Sequence, residues 1–174
     1  MIRTTTTVRR LRPGDALSFR ALRLAALTTD PDAFGASLEE EAAITVEQMA
    51  DRLAANMVFG AFSIGEQNGE GSLDGFTAYR RERTAKERHK ALVWGFYVAP
   101  EARRRGVGRA LMATLVAHAR ADAGVEALRL HVATTNPAAI GLYRQAGFTI
   151  VGTEPRALKT PSGYIDEHHM VRFL

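Results

Sequence analysis

The sequence predicts a single α/β domain: a mixed sheet with helices packed against it. Three observations carry this reading. The chain has 174 residues, close to one domain, and 46% are apolar, enough to fill one core. Short β-patterned stretches alternate with longer helix-patterned ones. One of them, Ala91 to Val98, is nearly continuously apolar, as a central strand covered on both faces must be.

The elements follow in order. Thr4 to Arg10, rich in threonine and valine, reads as an edge strand. Pro13-Gly14-Asp15 breaks it, and Asp15 is placed to cap a helix from Ala16 to about Leu27, with Leu17, Ala21 and Leu24 as its apolar stripe. Asp30-Pro31-Asp32 ends that helix. Glu39-Glu40-Glu41 reads as a solvated helix start, and Val46 to Ala55 as a second helix. Met57 to Ile64 and Leu73 to Arg80 are strands, with Asn68-Gly69 between them as a hairpin signal. After the strand ending at Val98, Pro100 interrupts. Gly106 to Ala123 is then a helix with Leu111, Met112, Leu115 and Val116 inward and Gly124 as its stop. Leu128, Leu130 and Val132 alternate with Arg129 and His131, giving a half-buried strand. Asn136-Pro137 opens a helix that Gly147 closes, Asn136 being the cap and Pro137 the first helical residue. Phe148 to Thr153 and Tyr164 to Phe173 are the last strands, joined by a loop holding Pro155, Pro161 and Gly163. The order is β-α-α-β-β-β-α-β-α-β-β, one domain over 1–174.

Composition narrows the function. The formal charge is +4 and cysteine is absent. Without cysteine there are no disulfides, thiol nucleophiles or thiolate-bound metals, and a reducing compartment suits the chain. There is no membrane-length apolar run and no signal core after Met1-Ile2-Arg3, so the expectation is a cytoplasmic protein without membrane contact. The basic residues cluster between Arg80 and Lys90 and at Arg103-Arg104-Arg105. They read as solvated loops, with no aromatic-rich motif of a nucleic-acid binder beside them. Asp166-Glu167-His168-His169 has metal-ligand types, but adjacent strand histidines point to opposite faces, so no metal site is expected.

The informative segment is Val98 to Leu111, where a buried strand ends, a basic glycine-containing loop follows and a helix begins. Unpaired N–H groups and the positive dipole end of that helix, with glycines that admit a ligand to the backbone, describe a diphosphate cradle. The P-loop pattern fails, because no Gly-Lys-Ser/Thr follows. The dinucleotide pattern fails too, because Leu111 stands where its third glycine belongs.

Arg103-x-x-Gly106-x-Gly108 resembles the acyl-CoA signature Gln/Arg-x-x-Gly-x-Gly/Ala of the GCN5-related N-acetyltransferase (GNAT) family. Leu130-His131-Val132-Ala133-Thr134-Thr135-Asn136, then Ala139 and Leu142-Tyr143-Arg144-Gln145-Ala146-Gly147-Phe148, is similar to the family's second motif, in the same order and at the usual separation. The resemblance is strong over 92–151 and loose before Met57. It implies the acyl-CoA N-acyltransferase fold, a mixed, mostly antiparallel sheet in which two central parallel strands splay apart. Here these are Leu92 to Val98 and Ala127 to Ala133. Acetyl-CoA lies in the gap, its pantetheine paired with the backbone of Phe96, Tyr97 and Val98. Amides from Arg103 through Arg104, Arg105, Gly106, Val107, Gly108 and Arg109 to Ala110 hold its pyrophosphate. Asn136, Ala139 and Tyr143 also meet the cofactor.

By the same resemblance the Val98 amide steadies the charge developing on the thioester oxygen, and Tyr143 is the general acid for the leaving thiolate. Ala139 and Tyr143, at i and i+4, share a helix face, and the small residue leaves room beside the phenol. The family's carboxylate base on the central strand is missing, since Leu92 to Val98 holds neither Asp nor Glu. His131, Glu82, Glu39, a water chain or an already neutral amine are the candidates. Asp32-Ala33-Phe34-Gly35 and the acidic triplet resemble the variable substrate-side segment. The expected reaction is acetyl transfer to a primary amine of a small molecule or amino-acid derivative. Acetylation of a protein N-terminus or lysine, and a non-catalytic acetyl-CoA sensor, are the alternatives. A homodimer is common among such proteins.

Overall fold

The computed structural model describes residues 5–64 and 71–174. Seven strands form one sheet in the order β1-β2-β3-β4-β5-β7-β6. They are β1 (Thr5–Arg10), β2 (Met57–Ile64), β3 (Ser72–Arg81), β4 (Lys90–Val98), β5 (Ala127–Ala133), β6 (Thr149–Thr160) and β7 (Gly163–Phe173). The helices are α1 (Ala16–Thr29), α2 (Leu38–Ala42), α3 (Val46–Ala55), α4 (Val107–Ala121) and α5 (Pro137–Gln145). All strand pairings are antiparallel except β4 with β5. The Asn68-Gly69 signal lies outside the described residues.

Two apolar clusters sit on opposite faces of the sheet. On one, α4 buries Leu111, Met112, Leu115 and Val116, as its spacing predicts, against Phe59, Tyr79, Val93 and Leu128, and α5 adds Tyr143. On the other, α1 and α3 pack Phe19, Met49 and Leu53 on Val58, Phe76 and Ala78.

The predicted stripe of α1 is wrong. Leu17 is 67% exposed, while Ala16, Phe19, Arg23, Ala26 and Leu27 are buried. The reason is a buried ion network. Arg23 Nη2 donates to Glu41 Oε2 at 2.6 Å, and Arg52 pairs with the other oxygen of Glu41. A helix face that must bury an arginine cannot be read from apolar spacing alone. The same network overturns the solvated reading of the acidic triplet for Glu41, which is only 3% exposed. Burial by itself would raise its carboxyl, but the hydrogen bonds and charges of Arg23 and Arg52 outweigh this and hold it below the usual carboxylate range. Helix α2 itself starts with a reciprocal cap between Ser37 and Glu40, and α3 with one between Thr45 and Gln48.

Asp15 stands at the start of α1 but does not cap it. Its carboxylate instead accepts from the Arg12 amide at 2.7 Å and from Arg9. Strand β6 runs through Pro155 to Thr160, so the expected long loop shrinks to a turn at Pro161 and Ser162. A bulge between Glu154 and Leu158, where Arg156 takes φ 55, accommodates the proline. A second bulge lies in β4. Phe96 pairs with Thr77 and Trp94 with Ala78, so Gly95 is the extra residue. It sits at φ 66, a left-handed conformation that favours glycine.

Candidate active site

Strands β4 and β5 pair in parallel only at Lys90–Ala127, Ala91–Leu128 and Leu92–Arg129. Beyond Leu92 they part. Among the described residues, the edge of β4 facing β5 then has no strand partner, and a cavity of about 540 Å³ opens in the wedge. Phe96, Tyr97 and Val98 from β4, Leu130 to Ala133 from β5, the start of α4, and Asn136, Ala139, Leu142 and Tyr143 from α5 and its cap line it. The half-buried state of Leu92, Phe96 and Val98, where full burial was expected, follows from this opening.

The backbone of β4 has a direction here. The Ala99 amide donates to the Asp74 carbonyl at 2.8 Å, which makes Asp74 and Ala99 a hydrogen-bonded pair. Bonded and non-bonded pairs alternate in an antiparallel ladder. Val98, opposite Gly75, therefore turns its N–H and C=O away from β3 and into the wedge. The Val98 carbonyl is taken there by Arg103 Nε at 2.9 Å. The Val98 N–H is directed into the gap.

At the mouth, Gly106 precedes α4 at φ 83, and no side chain caps the helix. The amides of Val107, Gly108 and Arg109, in its first turn, have no acceptor within the helix. Gly108 is where the start of α4 approaches β4 and α5: a Cβ there would stand 3.3 Å from Phe96 Cζ and 3.4 Å from Leu142 Cδ2. The expected cradle shortens at both ends. The Arg103 amide already donates to Pro100, and the Ala110 amide to Gly106. Arg103 is instead a brace. Besides holding Val98, its Nη2 donates to Asp30 Oδ2 at 2.5 Å, tying the loop to the end of α1. Arg104 and Arg109 line the cavity, whereas Arg105 and Ala110 do not.

Tyr143 lies inside the wedge, 6% exposed, held edge-on by Phe96 at 5.8 Å and Phe148 at 6.1 Å between ring centroids. Burial pushes its phenol well above the usual tyrosine range, so it is protonated throughout the physiological range. Asn136 Oδ1 accepts from the Ala139 amide at 3.0 Å, so the predicted cap is present, and Gly147 closes α5 at φ 86.

Of the residues weighed as bases, only His131 reaches the cavity. Glu82 is bound by Arg129 at 2.6 Å, and Glu39 is exposed on α2. His168 and His169 do point apart, toward Thr153 and Glu154 respectively. Ala33 and Phe34, from the segment expected on the substrate side, line the cavity, whereas sequence reasoning missed Asp30 and Gly95 in the wall. The Asp30-Pro31 helix stop was the available signal for the first. A glycine inside an apolar strand was the signal for the second.

Comparison with known proteins agrees with this geometry. A solved GNAT-family acetyltransferase from Streptococcus pneumoniae superposes with a TM-score of 0.84 at 23% identity, over 98% of this chain and 100% of that one. A GCN5-related N-acetyltransferase from Kribbella flavida gives 0.78 at 26% identity, over 97% and 98%. A mycothiol acetyltransferase from Propionibacterium freudenreichii is 31% identical over 115 residues, 66% of this chain. The match spans little more than a third, 36%, of that relative's length. The model of the acetyltransferase (GNAT) family matches residues 24–148, from α1 through the end of α5, and so includes both walls of the wedge; the chain belongs to that family.

Proposed function

We propose that the protein transfers the acetyl group of acetyl-CoA to a primary amine of a small molecule or amino-acid derivative by direct attack. The observation that carries this reading is the parting of β4 and β5 after Leu92, with an uncapped helix at its mouth and a buried, protonated phenol inside.

The donors present fit a thioester with a diphosphate tail. The open amides of Val107, Gly108 and Arg109 and the side chains of Arg104 and Arg109 would hold the diphosphate. The free edge at Phe96 would pair with the pantetheine amides as an added strand. Asn136 and Ala139 would flank it. When bound, acetyl-CoA supplies an acetyl carbon activated by its sulfur. The Val98 N–H, fixed by the β3 ladder, donates to the carbonyl oxygen where negative charge grows. The Tyr143 O–H gives the leaving sulfur its proton, and burial keeps that proton on the phenol until it is needed. Apolar walls at Phe96, Leu130 and Leu142 exclude water that would otherwise hydrolyse the thioester.

Two measurements test this. Calorimetry should show acetyl-CoA binding. A screen of amines, amino acids, aminoglycosides and peptide N-termini should then find thiol release with at least one small amine. Absence of acetyl-CoA binding refutes the cradle. Release with peptides alone refutes the small-molecule acceptor.

A further inference from the structure

Within the acetyl-transfer reading, on which this inference rests, one role lacks a holder: the group that takes the proton from the acceptor ammonium. We propose that His131 is that base, working from the face of the sheet opposite Tyr143.

The placement follows from strand alternation. Leu130 and Val132 face the cluster that contains Tyr143, so His131, between them, faces the other side of the wedge. Acid and base thus line the wedge from opposite faces of the sheet, so the two proton transfers need not compete for one position. The other titratable groups lining the cavity are engaged or unsuited. Asp30 is clamped by Arg103, the Tyr97 hydroxyl is 2.9 Å from Thr29 Oγ1, Tyr143 keeps its proton, and arginines hold theirs. Among the described residues that line the cavity, His131 is the only imidazole.

Its surroundings keep the imidazole lone pair free. The His131 ring stacks on His169 of β7 at 4.2 Å between centroids and an interplanar angle of 17°. The His169 Nε2 lies 3.0 Å from Glu154 Oε2 of β6. Arg129, two residues back on β5, is paired with Glu82 and Glu87. Glu167 of β7 stands opposite Ala133, and Asp30 faces the same cavity from the end of α1. His131 is exposed on its strand, yet partial desolvation lowers its affinity for a proton most, His169 and Arg129 lower it further, and Glu154 opposes them. The net effect favours the neutral imidazole, the form a base must have.

The proton count closes. His131 takes one proton from the ammonium, and the freed electron pair forms the new C–N bond as the thioester C–S bond breaks. Tyr143 protonates the sulfur, and the second amine proton restores the phenol. His131 then gives its proton to water, the single proton the reaction releases.

The test compares the wild type with His131→Gln and His169→Phe. With an alkylammonium acceptor from the screen, His131→Gln should lose about 100-fold in kcat/KM. With hydroxylamine, neutral at assay pH, it should lose far less. Calorimetric affinity for acetyl-CoA should not change. Independently of turnover, the imidazole NMR signal that disappears in His131→Gln should titrate in the wild type below the ordinary histidine value of about 6.5. His169→Phe keeps an aromatic ring at that position but removes the imidazole that disfavours protonation of His131, so it should raise that titration point and move the acidic limb of the pH–rate profile upward. Full ammonium turnover in His131→Gln, an equal loss with both acceptors, or a wild-type His131 still protonated at neutral pH overturns the base. A wild type that acetylates no amine overturns the functional reading, and the base with it.

Discussion

Replacing Tyr143 with phenylalanine separates chemistry from packing in one step. The hydroxyl lines the wedge and, among the described residues, makes no hydrogen bond that its removal would break. The edge-on contacts with Phe96 and Phe148 belong to the ring and survive. Folding stability should therefore stay within about 1 kcal/mol of the wild type, the centre of the range for single substitutions. Acetyl-CoA affinity should be preserved, because the proposed binding donors are amides elsewhere. Turnover should not be preserved. Loss of a positioned general acid costs about 100- to 1,000-fold in kcat, about 2.7–4 kcal/mol of barrier. Three assays read this: thiol release from acetyl-CoA, calorimetry with acetyl-CoA, and urea denaturation. A variant with full turnover would remove the acid role. A variant that lost turnover and stability together would make Tyr143 a packing residue.

Other perturbations reach other parts. Gly108→Trp must push an indole into the wedge, because Phe96 and Leu142 already crowd the position, so acetyl-CoA affinity should fall at least about 100-fold by calorimetry while thermal unfolding stays cooperative. Unchanged affinity would show that the cradle is misplaced. Glu41→Ala strands Arg23 and Arg52 without their anion and should cost about 3–5 kcal/mol in urea denaturation at neutral pH. Since the Glu41 carboxyl is held below its ordinary range, its contribution is present above that range and disappears as pH falls through the lowered value. The gap between wild type and variant should thus narrow in acid, and a constant gap would contradict the ion network. Asn136→Ala removes the α5 cap and should cost about 1 kcal/mol, with Asn136→Asp largely restoring it.

What could be read in advance was what neighbouring residues decide. The continuous apolar run of β4, the inward spacing of Leu111 and Leu115, the Asn136 cap and the Gly147 terminator are all local, and all are present. Alternation also placed His131 away from Leu130 and Val132 without any tertiary information. The misses are long-range. Arg23 turns inward because Glu41, 18 residues later, meets it. Arg103 looks like a phosphate ligand in its motif, yet its guanidinium is bound by Asp30, 73 residues earlier. The point where β4 and β5 part is set by the pairing of two strands distant in sequence, which no spacing within either strand records.

The bulge at Gly95 has a consequence for how this cleft can be altered. Ala91 and Val93 face α4 at odd positions, while beyond the bulge Phe96 and Val98 face that side at even ones. The glycine acts like a silent beat that keeps the two halves of the strand in phase. A branched side chain that straightened residue 95 into the ladder would press on Phe76 and Arg23 and shift the rhythm of everything after it. Tyr97 would swing toward α4, and Phe96 and Val98 would change sides with it. Remodelling of the cavity wall is thus free to vary Ala33 or Phe34 one at a time, but position 95 carries the whole far half of β4 with it.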